Sequence, residues 1–263
     1  MALQIRPVKK ADDHRKIAFP RPLMDVPFQL YVLGGCGSGK TNAVVNLVFS
    51  KTFYRDVFDN IILFSPSVHS DTTMHPFLKS SKVRVVEDYS EDALAGVLAD
   101  MKSGVEDAVA ATADPPQTLL IFDDMLGEFS KNSPNLKRLA TKFRHHCCSV
   151  IYTSQVFKEM PTNVRINLTA AMLFHCPNEV ERGKVITEFS SWGGGRLGQL
   201  WDEATIEPYQ FLLLHKDPMS AYASFGRQIW SLKDDQERRR RGAGAPQLKQ
   251  AAGSPDGDGG ASS

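Results

Sequence analysis

The sequence predicts an α/β fold: a mainly parallel sheet with helices on both faces. Three observations carry the prediction. Short apolar runs alternate along the chain with segments whose apolar residues recur at helical spacing, the order that builds parallel β–α units. Several of these runs, such as Thr118–Asp124 (TLLIFDD), are almost continuously apolar up to their last residues, as strands covered on both faces must be. Finally, a glycine-rich stretch, Gly34–Thr41 (GGCGSGKT), sits between the first such strand and the first such helix.

Taken in order, Phe28–Leu33 (FQLYVL) is a buried strand that ends at glycines, and the apolar residues of NAVVNLVFSKTF after Thr41 follow a helical period. Asn60–Ser67 and Lys82–Tyr89 read as the second and third strands. Ser90 is suited to cap a helix over Glu91–Lys102. Residues 106–117 are expected to be a surface connection, because Pro115 and Pro116 forbid a helix there. After the strand Thr118–Asp124, Ser133 and Pro134 form an N-cap and N1 pair for a helix to about Arg144, followed by the strand Ser149–Gln155. A strand at Thr169–Cys176 precedes a helix near Asn178–Phe189, a glycine turn at Gly193–Gly195, a short helix, and the last clear strand, Tyr209–Lys216.

The 263 residues suffice for one domain with a sizeable core, and 42% apolar with 23% charged residues is an ordinary globular composition. No run reaches the roughly 18 apolar residues of a membrane span, and the first residues lack an apolar leader, so a soluble intracellular protein with no membrane partner is expected. The net charge of +1 first argues against a protein that coats DNA by bulk positive charge. Its distribution is uneven: residues 1–27 carry +3, residues 236–263 carry +2, and residues 28–235 carry −4. This divides the chain into a basic N-terminal extension (1–27), a catalytic-size domain (28–235) and an Arg/Gly/Ala-rich tail (236–263) expected to be disordered. Arg238–Arg241 in that tail suits non-specific phosphate contact, and equally a solubilising or localisation segment. Four adjacent residues, His145, His146, Cys147 and Cys148, cannot converge on one metal ion, and no CxxC pair is present. Cys147 and Cys148, read as strand neighbours, would point to opposite faces.

Gly34–Thr41 matches G-x-x-x-x-G-K-S/T at every fixed position, the P-loop of NTPases. In such a loop the backbone N–H groups of Gly34, Gly35, Cys36, Gly37, Ser38 and Gly39 surround the β-phosphate, Lys40 reaches the β- and γ-oxygens, and the Thr41 hydroxyl ligates Mg²⁺. ATP and Mg²⁺ are therefore the expected cofactors. The strand ending in Asp123 and Asp124 has Walker B form, with Asp123 holding the metal through water and Asp124 polarising the attacking water. Glu128 is a weaker candidate for the base, and one of the two aspartates could instead cap the following turn. Gln155 ends a strand where carboxyl ends face the ligand crevice, placed to orient the lytic water. Arg144 enters the same strand from its other end, away from its own chain's nucleotide.

With these motifs in order, the chain resembles the FtsK–HerA superfamily of ring-forming DNA-pumping ATPases, and within it the poxvirus-type genome-packaging ATPases of large DNA viruses, virophages and polinton-like viruses. The segments that carry the resemblance are GGCGSGKT, LLIFDDM, FRHHCCSVIYTSQ, MPTNVRINLTAAMLF and EPYQFLLLHKD, spanning about residues 28–216. The resemblance implies a RecA/FtsK-like P-loop fold, and a hexameric or pentameric ring that hydrolyses ATP to drive double-stranded DNA, without sequence preference, into a preformed capsid. It implies capsid vertex or portal partners, and an infected host cell (cytoplasmic factory or nucleus) or the virion as location. Arg144 would be the arginine finger acting in trans, by its spacing from Gln155, with Arg165, next to Asn167, as the alternative finger. Cellular members usually carry Asp-Glu where this chain has Asp123-Asp124, which leaves the base open between Asp124 and Glu128. Two other readings are a P-loop kinase, disfavoured because no arginine-rich lid lies between Gln155 and Lys216, and a nucleotide-dependent capsid switch.

Overall fold

The computed structural model describes residues 16–129, 133–157 and 160–243. Among them nine strands form one sheet: β1 (Gln29–Leu33), β2 (Asn60–Phe64), β3 (Val83–Val86), β4 (Thr118–Phe122), β5 (Cys148–Ser154), β6 (Ala170–Phe174), β7 (Phe211–Lys216), β8 (Met219–Ala223) and β9 (Gln228–Ser231). Their order across the sheet is β3-β2-β4-β5-β1-β6-β7-β8-β9. The first six pair in parallel, and β7, β8 and β9 are antiparallel to their neighbours. The mainly parallel α/β fold predicted from the alternation of strands and helices is the fold observed.

Each central strand is buried on both sides because two helical layers cover it. From β1, Tyr31 and Leu33 join a core on one face with Leu94, Val97 and Leu98 of α3 (Glu91–Ala110), Leu136 and Leu139 of α4 (Pro134–Lys142), Val185 of α6 (Glu179–Glu188) and Leu200 and Trp201 of α7 (Leu197–Ala204). Leu30 and Val32 join the opposite core with Val44 and Leu47 of α1 (Lys40–Phe49) and Phe77 of α2 (His75–Lys79). A short helix, α5 (Thr162–Arg165), bridges β5 and β6. Side chains cap helices as their sequences suggest: Ser90 accepts from Ala93 N–H, Ser133 from Leu136 N–H, and Asn178 from Val180 and Glu181 N–H.

Several boundaries differ from those the sequence predicts. α3 does not stop at Lys102, because its buried stripe continues through Val105; the helix reaches Ala110, and the chain turns at Thr112 (φ 56°) before the two prolines. α4 ends at Lys142, and a 3-10 turn over Phe143–His146 leads into β5. Cys147 (φ 48°) closes that turn outside the strand, so it is not the strand neighbour of Cys148. The N-terminal boundary at residue 28 falls too late, since Ile17 and Val26 form an antiparallel bridge and Leu23, Met24 and Val26 are buried in the core.

Residues up to Leu232 form one compact unit, and Lys233 begins a second. The helix α8 spans Leu232–Ala243, so residues 236–243 are helical where disorder is expected from composition. Asp234 and Asp235 stand in its first turn, where acidic groups oppose the helix dipole favourably, and Asp235 pairs with Arg239 one turn on at 3.0 Å. The rest of the predicted tail, and residues 1–15 of the extension, lie outside the described residues. Among the described residues no helix is long and apolar enough to cross a membrane.

Candidate active site

Parallel strands bring their carboxyl ends to one edge of a sheet, and four of them deliver polar residues there at once. β1 runs into Gly34, β2 into Ser65, β4 into Asp123 and Asp124, and β5 into Gln155. Register sets the alignment: Leu33 is level with Ser154 between β1 and β5, and Phe64 with Phe122 between β2 and β4.

The glycine loop leaves β1 with Gly34 N–H donating to the Ser154 carbonyl at 3.2 Å. Gly37 (φ 71°) and Gly39 (φ 99°) occupy the left-handed region that favours glycine. Gly34 has no room for a side chain, since a Cβ there would lie 2.4 Å from Ser38 Oγ and 2.8 Å from Phe174 Cβ. No side chain caps the first amides of α1, which leaves its N-terminus available to an anion. Lys40 is buried, and its Nζ donates to the neutral carbonyls of Gly34 (2.7 Å) and Gly35 (3.1 Å). Ser38 Oγ is buried without a hydrogen-bond partner. A buried ammonium held by neutral carbonyls, an unsatisfied hydroxyl and an uncapped helix start together fit a polyphosphate.

Asp123 is 5% exposed, and each of its oxygens accepts a hydroxyl: Oδ1 from Thr153 at 2.8 Å, Oδ2 from Ser65 at 3.0 Å. Burial pushes its pKa up, the two hydroxyl bonds pull it down, Asp124 raises it and Lys40 lowers it, with a net upward shift. A divalent cation would reverse that penalty, and Asp123 and Thr41 are the hard oxygen donors that Mg²⁺ takes. Thr153 Oγ1 also accepts the Asp124 backbone N–H at 3.0 Å. This bond holds Asp124 at φ 51°, and its exposed carboxylate accepts from Gln155 Nε2 at 3.1 Å. One threonine therefore positions both aspartates.

Lys40, Asp123, Asp124 and Gln155 thus converge on a single edge, with Gly35, Cys36, Gly37 and Thr41 in the loop and first helical turn beside them. Glu128 lies exposed on a 3-10 turn beyond β4. The two arginines do not join the cluster. Arg144 precedes β5 and stands at the opposite edge, its guanidinium 4.7 Å from the centre of the Phe143 ring. Arg165 donates to Glu188 Oε2 (2.8 Å) and Thr162 Oγ1 (2.9 Å). Asn167 serves the backbone, donating to the Asn163 carbonyl while its own carbonyl accepts from Gln29. Sequence reasoning missed Ser65 and Thr153. Their signal is a small hydroxyl residue at the carboxyl end of each strand flanking β4, meaningful only once the register is known.

A model of the family described as poxvirus A32 protein matches residues 17–185. The DNA packaging protein OPG160 of monkeypox virus is 30% identical over 150 residues, covering 56% of this chain and 47% of that protein. Its vaccinia virus (strain Copenhagen) counterpart is 29% identical over 150 residues, covering 56% and 53%. The chain spans about half the length of the curated relatives it matches. Among solved structures, B204, the DNA-packaging ATPase of Sulfolobus turreted icosahedral virus, aligns with a TM-score of 0.56 at 16% identity, covering 74% of this chain and 96% of that one. EssC (ATPases 2 and 3) of Geobacillus thermodenitrificans aligns at 0.52 and 12%, covering 81% and 43%. At these identities the two structures establish a shared fold. The family match takes in the glycine loop, the end of β4, Gln155 and both arginines over more than half of the sequence, and the chain belongs to the poxvirus A32 protein family.

Proposed function

We propose that this protein is an ATP-hydrolysing motor that drives double-stranded DNA into a preformed capsid, acting as a hexameric or pentameric ring. The observation that carries the reading is the corner in which Thr153 bridges Asp123 to Asp124 and Asp124 meets Gln155, beside a loop with a buried lysine and an uncapped helix start. The A32 family membership and the similarity to DNA packaging proteins support DNA as what is moved, and the capsid is part of the proposal.

In this reading Gly34–Thr41 takes up the phosphates of ATP, and Thr41 and Asp123 would hold Mg²⁺, which would supply charge neutralisation to the phosphates. Lys40 turns from the Gly34 and Gly35 carbonyls to the phosphate oxygens. Asp124 accepts the proton of the attacking water as its oxygen bonds to the γ-phosphorus and ADP leaves, and Gln155 orients that water. Gln155 directly follows β5, and the 3-10 turn that leads into β5 carries Arg144, so in this reading the nucleotide state at one edge is linked through one strand to the other edge.

Arg144 suits the finger in trans better than Arg165 does. Among the described residues no carboxylate lies within ion-pair distance of Arg144, and the residue lines a cleft of about 750 Å³ with Asn167 and Lys216, whereas Arg165 is committed to Glu188. In a ring that edge would meet a neighbour's γ-phosphate. DNA contacts are to phosphates and carry no base preference. The site of action is the infected cell or the assembling virion, with vertex or portal proteins as partners.

Purified protein should hydrolyse ATP faster when duplex DNA is added, and Lys40→Ala and Asp123→Ala should each abolish turnover. Undiminished hydrolysis in both variants would show that the chemistry lies elsewhere. Transfer of the phosphate to a small acceptor without DNA dependence would favour a kinase.

A further inference from the structure

The residues proposed to meet the γ-phosphate all lie to one side of the P-loop. Asp123 and Asp124 directly follow β4 and Gln155 directly follows β5, and both strands stand on one flank of β1. A nucleotide whose terminal phosphate meets those residues must extend its ribose and base the other way, past Gly39 and the start of α1, toward β6 and β7. On that flank the connection between α7 and β7 brings Tyr209 against the loop. A Cβ built on Gly39 would lie 3.3 Å from Tyr209 Cδ1 and 3.7 Å from Tyr209 Cβ.

Three features set Tyr209 apart from an ordinary loop residue. It is 73% exposed, and it shares with Ile206, on the same connection, the highest exposure of any large apolar side chain among the described residues. Its backbone is left-handed (φ 65°), a conformation that disfavours bulky side chains and persists where the surroundings impose it. It also rises beside a buried aromatic row rather than at a free loop tip. Phe174 Cε1 lies 3.6 Å from the same Gly39 position, Phe174 packs on Phe211 at 5.1 Å, and Phe211 packs on Phe225 at 5.1 Å.

We infer that Tyr209 is the base platform of the site, its ring stacking on the purine of the bound nucleotide. The inference rests on Gly34–Thr41 being a nucleotide site. A π-face without a dedicated hydrogen-bonding edge takes purines over pyrimidines and discriminates weakly between adenine and guanine. Tyr209 is thus a specificity-determining residue that leaves the phosphate chemistry to the opposite flank.

The test is calorimetric binding to the full chain of ATP and of inorganic tripolyphosphate, which has the phosphates without the base. Tyr209→Ala should weaken ATP about tenfold, and Tyr209→Phe should bind ATP like the wild type. Tripolyphosphate should bind all three proteins within about twofold of one another. Unchanged ATP affinity in Tyr209→Ala, equal defects in the Phe and Ala variants, or a parallel loss of tripolyphosphate binding would each overturn the inference. Wild-type protein that binds neither ligand would overturn the nucleotide-site reading and this inference with it, whereas wild-type binding with an indifferent Tyr209→Ala removes only the base platform.

Discussion

Thr153 holds Asp123 by its hydroxyl proton and Asp124 by its oxygen lone pair, so a single side chain couples the cation ligand to the candidate base. Thr153→Val keeps the shape and removes both bonds. The expected result is a 10- to 100-fold fall in ATP turnover, the usual scale for groups that orient a ligand residue, with about 1–3 kcal/mol lost in a denaturant melt because buried polar atoms lose partners. Thr153→Ser should recover most of both; an active valine variant would mean that the two aspartates are positioned independently. Gly34–Thr41, Asp123, Asp124 and Gln155 were legible in the sequence because each belongs to a local pattern of strand end or fixed spacing. Ser65, Thr153 and Tyr209 were not, because the importance of Ser65 and Thr153 depends on which strands flank β4, and that of Tyr209 on a contact with Gly39 between residues more than a hundred positions apart.

β7 ties the chain's early residues to the sheet through one buried imidazole. His215 Nδ1 meets Arg21 Nη1 at 2.5 Å and its Nε2 meets the Pro22 carbonyl at 2.9 Å, an arrangement suited to a neutral ring that accepts at Nδ1 and donates at Nε2. Burial, then the charge of Arg21, lowers its pKa from 6.5 to about 4. Between those values the unfolded chain binds the proton and the folded chain does not, so this contribution to stability is complete above pH 6.5 and is lost as pH falls toward 4. Urea melts should show up to about 3 kcal/mol of acid destabilisation over that window, reduced in His215→Gln. An identical pH slope in the variant would assign the effect to other groups. At this scale the sequence displayed β1 to β7 and the helix caps at Ser90 and Ser133, but not β8 and β9. They are short and mix apolar with small or polar residues in no regular period (MSAYA and QIWS), and the two-residue Asp217-Pro218 link that makes β7 and β8 antiparallel leaves no space for a crossover helix. Nor can periodicity reveal direction, so the antiparallel pairing of β7 with β6 shows only in the structure.

For the whole molecule, an acidic body of −4 within a chain of net +1 suits a ring motor, which must hold DNA weakly enough to step along it and needs positive charge mainly where phosphates pass. The two edges of the sheet then have complementary tasks, Lys40 and Asp123 at one and Arg144 at the other. Arg144→Ala should lower turnover on the order of 10³-fold, and mixing it with Lys40→Ala protein should restore part of the activity, since one interface then pairs an intact loop with an intact arginine. Mixtures as inactive as either parent would exclude a finger acting in trans at this position. The order of motifs made the family resemblance legible from the sequence, whereas the placement of Arg144 at the far edge depends on the strand register. Hydrolysis at the Asp123–Asp124–Gln155 corner should move duplex DNA, and displacement of a third strand from a triplex reports that motion. Wild-type protein should displace the strand with ATP, fail with a non-hydrolysable analogue, and fail as Lys40→Ala or Asp123→Asn; steady ATP hydrolysis with no displacement, or displacement undiminished in those variants, would contradict translocation driven from this corner.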